Sequence, residues 1–280
     1  MLNYMAISLR YGFSLVAGIR NIKRVVILSK TSIIILCAGE AERWNNYLGI
    51  PKQLITIGGE TLLERTVRLC RAKNNYDIHI VSNNDLLRTE TCNYFEPSKH
   101  QWIVETLLST QSLWNEKTII LLGDVFFTQK AIHTILKSDE NIHFYGRFGA
   151  SKYTSTTWGE IFALSFSRYE WPKLITNAQQ VCLQAKSGGR GKLWELYRSL
   201  AGFLPEEHKV ENNIFISIHD FTDDFDSPIE YKANIRRYEY LTSKSRYKNL
   251  LVLLWVNYVY SIRIVKSGFR LFMRCFADES

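Results

Sequence analysis

The sequence predicts an α/β fold, a three-layer sandwich built around a mainly parallel central sheet. Three observations carry this expectation. Short apolar runs at residues 33–37, 78–82 and 118–122 read as strands buried on both faces. Helical patterns stand between them at 61–73 and 106–114, and another follows at 129–137. Each run ends in residues suited to a site: Gly39 after the first, Asn83 after the second, Gly123-Asp124 after the third. In sheets of this kind ligands bind beyond the carboxyl ends of the strands, so these residues are expected along one edge.

Composition agrees. The chain has 280 residues, 46% hydrophobic and 22% charged, which excludes disorder and leaves ample material for a core. Five cysteines at 37, 70, 92, 182 and 275 form no CxxC pair, and the six histidines show no ligand-like spacing. A zinc site and a disulfide framework are therefore not expected, and reduced thiols point to a cytoplasmic setting. The net charge of +8 is unevenly placed: +5 in residues 1–30, −4 in 31–231, +9 in 232–274 and −2 in 275–280. A mildly acidic body argues against a nucleic-acid groove. The basic ends instead suit an anionic surface.

In chain order, residues 1–30 alternate apolar stretches with single arginines and lack the layout of a signal peptide. They read either as an interfacial amphipathic helix or as an extra packing helix. After the first strand, 48–53 reads as a loop, 54–57 as a short extended piece and Gly58-Gly59 as a turn. Thr61 and Glu64 have the spacing of a capping box at the start of the 61–73 helix. Further strands are expected at 142–146 and 160–166, separated by the polar stretch 151–157. The segment "KSGGRGKLWELYRSL" reads as a glycine-rich loop opening a helix, and "NIFISIHDFTDDFDSPIEY" as a strand running into an acidic loop. The most apolar run, 250–262, is 13 residues long, short of the roughly 20 that span a bilayer as a helix. Lys244, Arg246 and Lys248 precede it, and Arg263, Lys266, Arg270 and Arg274 follow. It reads as a helix at a membrane interface or as one buried against the domain. The expected organisation is a basic extension at 1–30, one main domain at 31–235 and a basic, aromatic extension at 236–280.

The chemistry concentrates in "CAGEAERW" (37–44), where backbone N–H groups of a glycine turn can cradle phosphate and Arg43 can pair with it. Lys52, stiffened by Pro51, reads as a second phosphate ligand, although a lone loop Arg or Lys is more often simply solvated. Asp124 follows four apolar residues and a glycine, where a carboxylate holds Mg²⁺ or caps the next helix. Asp220, Asp223, Asp224 and Asp226 offer the second acid that a metal site needs, or form a plain acidic loop.

Together "CAGEAERWNNYLGIPKQLITIGGETLLERTV", "LLGDV" and "DFDSPIEY" resemble the MobA-like and sugar-phosphate nucleotidyltransferase family of the GT-A-like, Rossmann-like fold. Ala38, Gly39, Arg43, Pro51, Lys52, Gly59, Leu62, Leu63 and Glu64 carry the first part of the likeness. It spans roughly residues 32–235. The resemblance implies a Mg²⁺-dependent enzyme that joins an NTP to a phosphorylated small acceptor and releases pyrophosphate. By it, Arg43, Lys52 and Asp124 are catalytic, and Asp124 with Asp226 hold the metal. Ala38 and Gly39 belong to the phosphate loop, with Asn83 and Ser109 as base or ribose contacts and Arg190 and Lys192 toward the acceptor phosphate. Cell-surface glycan precursors are the destination that the family suggests. This chain departs from the family pattern at Glu40, Ala41, Glu42 and Trp44. A GT-A glycosyltransferase is the rival enzyme, since Asp224-Phe225-Asp226 forms an Asp-x-Asp. The absence of a second acid beside Asp124 weighs against it. A catalytically silent membrane-surface module is the non-enzymatic alternative.

Overall fold

The computed structural model describes residues 31–277, apart from 40, 73–75, 140, 155 and 212, and side chains as far as Ile262 except Tyr260. Residues 1–30, Glu40 and the side chains of the four later cations lie outside what is described.

Seven strands form the main sheet, in the spatial order 215–217, 143–147, 160–167, 117–122, 31–36, 77–81 and 93–95. They are β1 (Thr31–Leu36), β4 (Asp77–Val81), β5 (Asn93–Phe95), β6 (Lys117–Leu122), β8 (His143–Arg147), β9 (Glu160–Ser167) and β10 (Phe215–Ser217). All neighbours pair in parallel except β9, which runs antiparallel to both β6 and β8. The three expected strands are β1, β4 and β6, and they sit side by side at the centre.

Period-two alternation divides the central strands between two cores. Ile33 and Ile35 face one side with Ile78, Ile80, Ile119 and Leu121, and there meet α1 (Leu62–Arg71) and α3 (Gln129–Leu136). Ile34, Leu36, Val81 and Ile120 face the other, against α2 (Ile103–Ser109), α4 (Trp171–Lys186) and α5 (Leu193–Ala201). The result is three layers. Each fully buried isoleucine contributes about 1.5–3 kcal/mol of transfer free energy, which explains why these runs contain almost no polar residues.

Thr61 caps α1 as expected, its hydroxyl accepting from the Glu64 N–H while the Glu64 carboxylate accepts from the Thr61 N–H. Other elements differ from expectation. The helix expected at 106–114 is α2, and residues 111–113 form a separate 3₁₀ turn. Its buried face is built from Val104, Thr106 and Leu107, so it starts earlier than Thr106. The extended piece expected at 54–57 is a hairpin of β2 (Thr56–Ile57) and β3 (Glu60–Thr61), with Leu54 in a 3₁₀ turn.

A third apolar cluster lies beside the sheet. It joins Trp44, Ile55, Ile57 and Phe126 to Phe225, Tyr238, Val252 and Val256. Phe126 lies in β7 (Val125–Phe126), which pairs antiparallel with β11 (Asp223–Asp224). Tyr238 comes from α6 (Pro228–Thr242), Val252 and Val256 from α7 (Arg246–Ala277). The boundary anticipated at 235 thus falls inside α6. No helix of the described residues is long and apolar enough to cross a membrane. The described cysteines, Cys37, Cys70, Cys92 and Cys182, are free.

Candidate active site

The loops at the carboxyl ends of β1 and β6 open into a cleft of about 1030 Å³. Ala38, Gly39, Arg43, Lys52, Asp124, Asp226, Arg190 and Lys192 all line it, although they come from five separate stretches of sequence. Asn83 and Ser109 do not line it. Asn83 stands at the end of β4 but its amide bonds the His100 ring nitrogen at 3.0 Å, and His100 is the residue that reaches the cleft. Ser109 turns back on its own helix, donating to the Thr106 carbonyl at 2.7 Å. Thr106, one turn earlier, lines the cleft instead.

Lys52 is the hinge of the site. Pro51 leads into a 3₁₀ turn, Lys52–Leu54, that buries the lysine to 8% exposure. Its ammonium lies 2.5 Å from Asp124 and 3.1 Å from Asp226, so one cation ties β6 to the segment after β11. Burial alone would lower the Lys52 ammonium, but Asp124 and then Asp226 outweigh it and hold it above its ordinary value. Arg43, largely exposed, caps the same Asp226 from the loop after β1.

Beyond Lys52 the charge reverses. Carboxylate oxygens of Glu160, Asp224 and Asp226 lie within 4.8 Å of one another. Burial, then Asp226 and Asp223, pushes the Glu160 carboxyl up to about 7. Burial, then Glu160 and Asp226, raises the Asp224 carboxyl well above the carboxylate range. Three crowded acids with all-oxygen ligands fit a hard divalent cation such as Mg²⁺. Of the two acids expected to share a metal, Asp226 is in this group, while Asp124 is engaged by Lys52. Glu160 carried no sequence signal. It is the first residue of β9, and only because β9 runs backwards does a strand's first residue reach the ligand edge. Asp224 had one, the Asp-x-Asp spacing that places two acids on one side of an extended segment.

The loop after β1 is open where a ligand is expected. A Cβ on Gly39 would meet nothing within 4 Å. Trp44, a departure from the family pattern, is a packing residue: it is buried, its indole N–H donates to the Ile50 carbonyl at 2.9 Å, and it packs edge-on to Tyr47 and Tyr231. Across the cleft, the glycine-rich turn before α5 is held by Glu195, whose carboxylate accepts from the N–H groups of Arg190 and Lys192 at 3.0 Å. Gly191 there sits at φ +59°, and a Cβ would fall 2.4 Å from the Cβ of Trp102. The close approach locks this turn to the start of α2.

A glycine turn, a buried lysine and an acid cluster thus meet at one edge of a mainly parallel sheet. Residues 33–144 match the family described as "MobA-like NTP transferase domain". The match places that segment among the nucleotidyltransferase domains. No curated protein matches the chain in sequence. Similar solved structures include the inositol-1-phosphate CTP transferase of T. maritima, at 10% identity and TM-score 0.53, covering 78% of this chain and 98% of that one. Another is the CTP:phosphocholine cytidylyltransferase of Streptococcus pneumoniae, at 14% identity and TM-score 0.51, covering 76% and 100%. At these identities the likeness is one of fold.

Proposed function

We propose that this enzyme transfers the nucleoside monophosphate of an NTP to a phosphorylated small acceptor, a sugar phosphate or an alcohol phosphate. An acceptor phosphate oxygen attacks the α-phosphorus, the bond from the α-phosphorus to the bridging oxygen breaks, and pyrophosphate leaves with the bonding electrons. The observation that carries this reading is Lys52 set between Asp124 and Asp226 at the floor of the cleft. The relatives named above transfer from CTP, which supports the same reaction type here.

Such chemistry needs alignment and charge neutralisation more than a covalent group. Arg43 and Lys52 would neutralise the phosphates, with Ala38 and Gly39 presenting the backbone to them. Glu160, Asp224 and Asp226, with Asp124 beside them, would hold Mg²⁺. When bound, that ion supplies charge neutralisation on the phosphate oxygens. Arg190 and Lys192, lining the opposite wall, would take the acceptor phosphate. We assign the product to activated precursors of cell-surface glycans, an assignment that rests on analogy with the family.

Pyrophosphate release measured over the four NTPs, with Mg²⁺ and a panel of phosphorylated sugars and alcohols, tests this. Release that requires both NTP and acceptor is expected. Turnover of a nucleotide sugar with no NTP turnover would instead establish the glycosyltransferase reading, which Asp224 and Asp226 facing one cleft keeps in view.

A further inference from the structure

Helix α7 buries one face and leaves the opposite one bare. Val252 and Val256 pack into the third cluster, 2% and 8% exposed, and Trp255 lies under the Arg237 guanidinium at 3.3 Å. Tyr247, Leu250, Leu254 and Tyr258, spaced at three and four residues, fall on the other face and are 52–69% exposed. Leu253 widens the row. A helix that served only to cover the domain would be polar on its outer side. Exposed cations stand at the start of this row, Lys244, Arg246 and Lys248.

Charge decides what covers the face. From residue 240 to 277 the chain has seven Lys or Arg and no Asp or Glu. A second copy of this chain would bring the same cations against them. Residues 1–30, with five Lys or Arg and no acid, are disfavoured for the same reason. An apolar, aromatic row whose charged neighbours within its own helix are all cations complements a surface that is oily within and anionic at its rim. We propose that α7 seats the enzyme on the surface of an anionic lipid bilayer, lying in the interface without crossing it. Tyr247, Leu250, Leu254 and Tyr258 enter the headgroup boundary and the cations meet the lipid phosphates. This goes beyond the proposed reaction and does not depend on it.

The test is flotation of the full chain with vesicles of phosphatidylcholine alone or with added phosphatidylglycerol. The expected result is recovery with the anionic vesicles at low salt, falling at least tenfold with phosphatidylcholine alone or at 1 M salt. L250E/L254E is expected to lose flotation at least tenfold while its thermal melt stays that of the parent. If that variant melts early, K244Q/R246Q/K248Q, changed only at exposed positions, reads the same surface through its weaker anionic binding. No flotation at low salt overturns the proposal. Flotation unaltered by either set of substitutions also overturns it, by placing the contact elsewhere in the chain. A dimer of the parent chain in sedimentation, dissolved by L250E/L254E, overturns it in favour of a second copy on this face.

Discussion

Arg147 and Asp223 form an ion pair at 3.1 Å with side chains only 6% and 0% exposed. The same carboxylate accepts from Thr154 and, at 2.9 Å, from Thr156. Asp223 therefore anchors β11 between β8 and the 151–157 stretch while the next residue, Asp224, faces the cleft. Removing one partner of a buried pair leaves the other uncompensated, so Asp223→Ala is expected to cost about 3–5 kcal/mol. Urea denaturation at unchanged m-value measures it. The double variant Arg147→Met/Asp223→Leu should recover part of that loss, and a double variant as unstable as Asp223→Ala would contradict the pairing account.

Lys52→Met removes the cation shared by Asp124 and Asp226. Nucleotidyl transfer is expected to fall at least a hundredfold, because no other buried cation in the described cleft meets both acids. The metal-free protein should also lose on the order of 3 kcal/mol. Added Mg²⁺ should restore more melting temperature in the variant than in the parent, since the ion then compensates acids the lysine no longer serves. Equal Mg²⁺ responses in thermal melts would contradict this.

Glu160 gives a pH dependence of defined sign. Its carboxyl sits at about 7 in the folded protein against 4.5 for an ordinary glutamate. Between those values the unfolded chain releases its proton first, so unfolding becomes easier as pH rises through that window. Glu160→Gln should flatten this part of the metal-free stability profile and leave the variant more stable than the parent at pH 8. Chemical denaturation in chelator from pH 4.5 to 8 provides the comparison.

Gly123 tests how closely Asp124 must be held. A Cβ at this position would fall 2.3 Å from the Cys37 sulfur and 3.1 Å from the Leu36 carbonyl oxygen. Gly123→Ala is expected to cost about 1–3 kcal/mol by overpacking and to lower activity at least tenfold by displacing Asp124. Cys37→Ala/Gly123→Ala removes the sulfur and should recover most of both, read from melts and steady-state rates.

The centre of this fold was legible because buried parallel strands must be largely apolar, and residues 33–36, 78–81 (His79 apart) and 119–121 are. Once those strands lie side by side, Gly39 and Asp124 must share an edge, and the resemblance added Arg43, Lys52 and Asp226. Glu160 is not legible as a site residue because nothing in its neighbourhood announces that β9 is reversed. Helix α4 also left little trace, since only Leu174, Ala178, Val181 and Ala185 of its sixteen residues are buried. Asn83 and Ser109 lie near the expected edge in sequence, yet side-chain bonds to His100 and to the Thr106 carbonyl hold them out of the cleft.

The reversal of β9 has an engineering consequence. The chain leaves β8 and re-enters the sheet at Glu160 on the same rim, so the connection at 148–159 works as a cassette. Phe148, Gly149, Trp158 and Gly159 from it already line the cleft. Lengthening or exchanging its middle would reshape what the cleft admits without shifting strand register, provided that Thr154 and Thr156 are replaced by donors that still reach Asp223. The turn after Ser167 at the opposite rim offers no such handle.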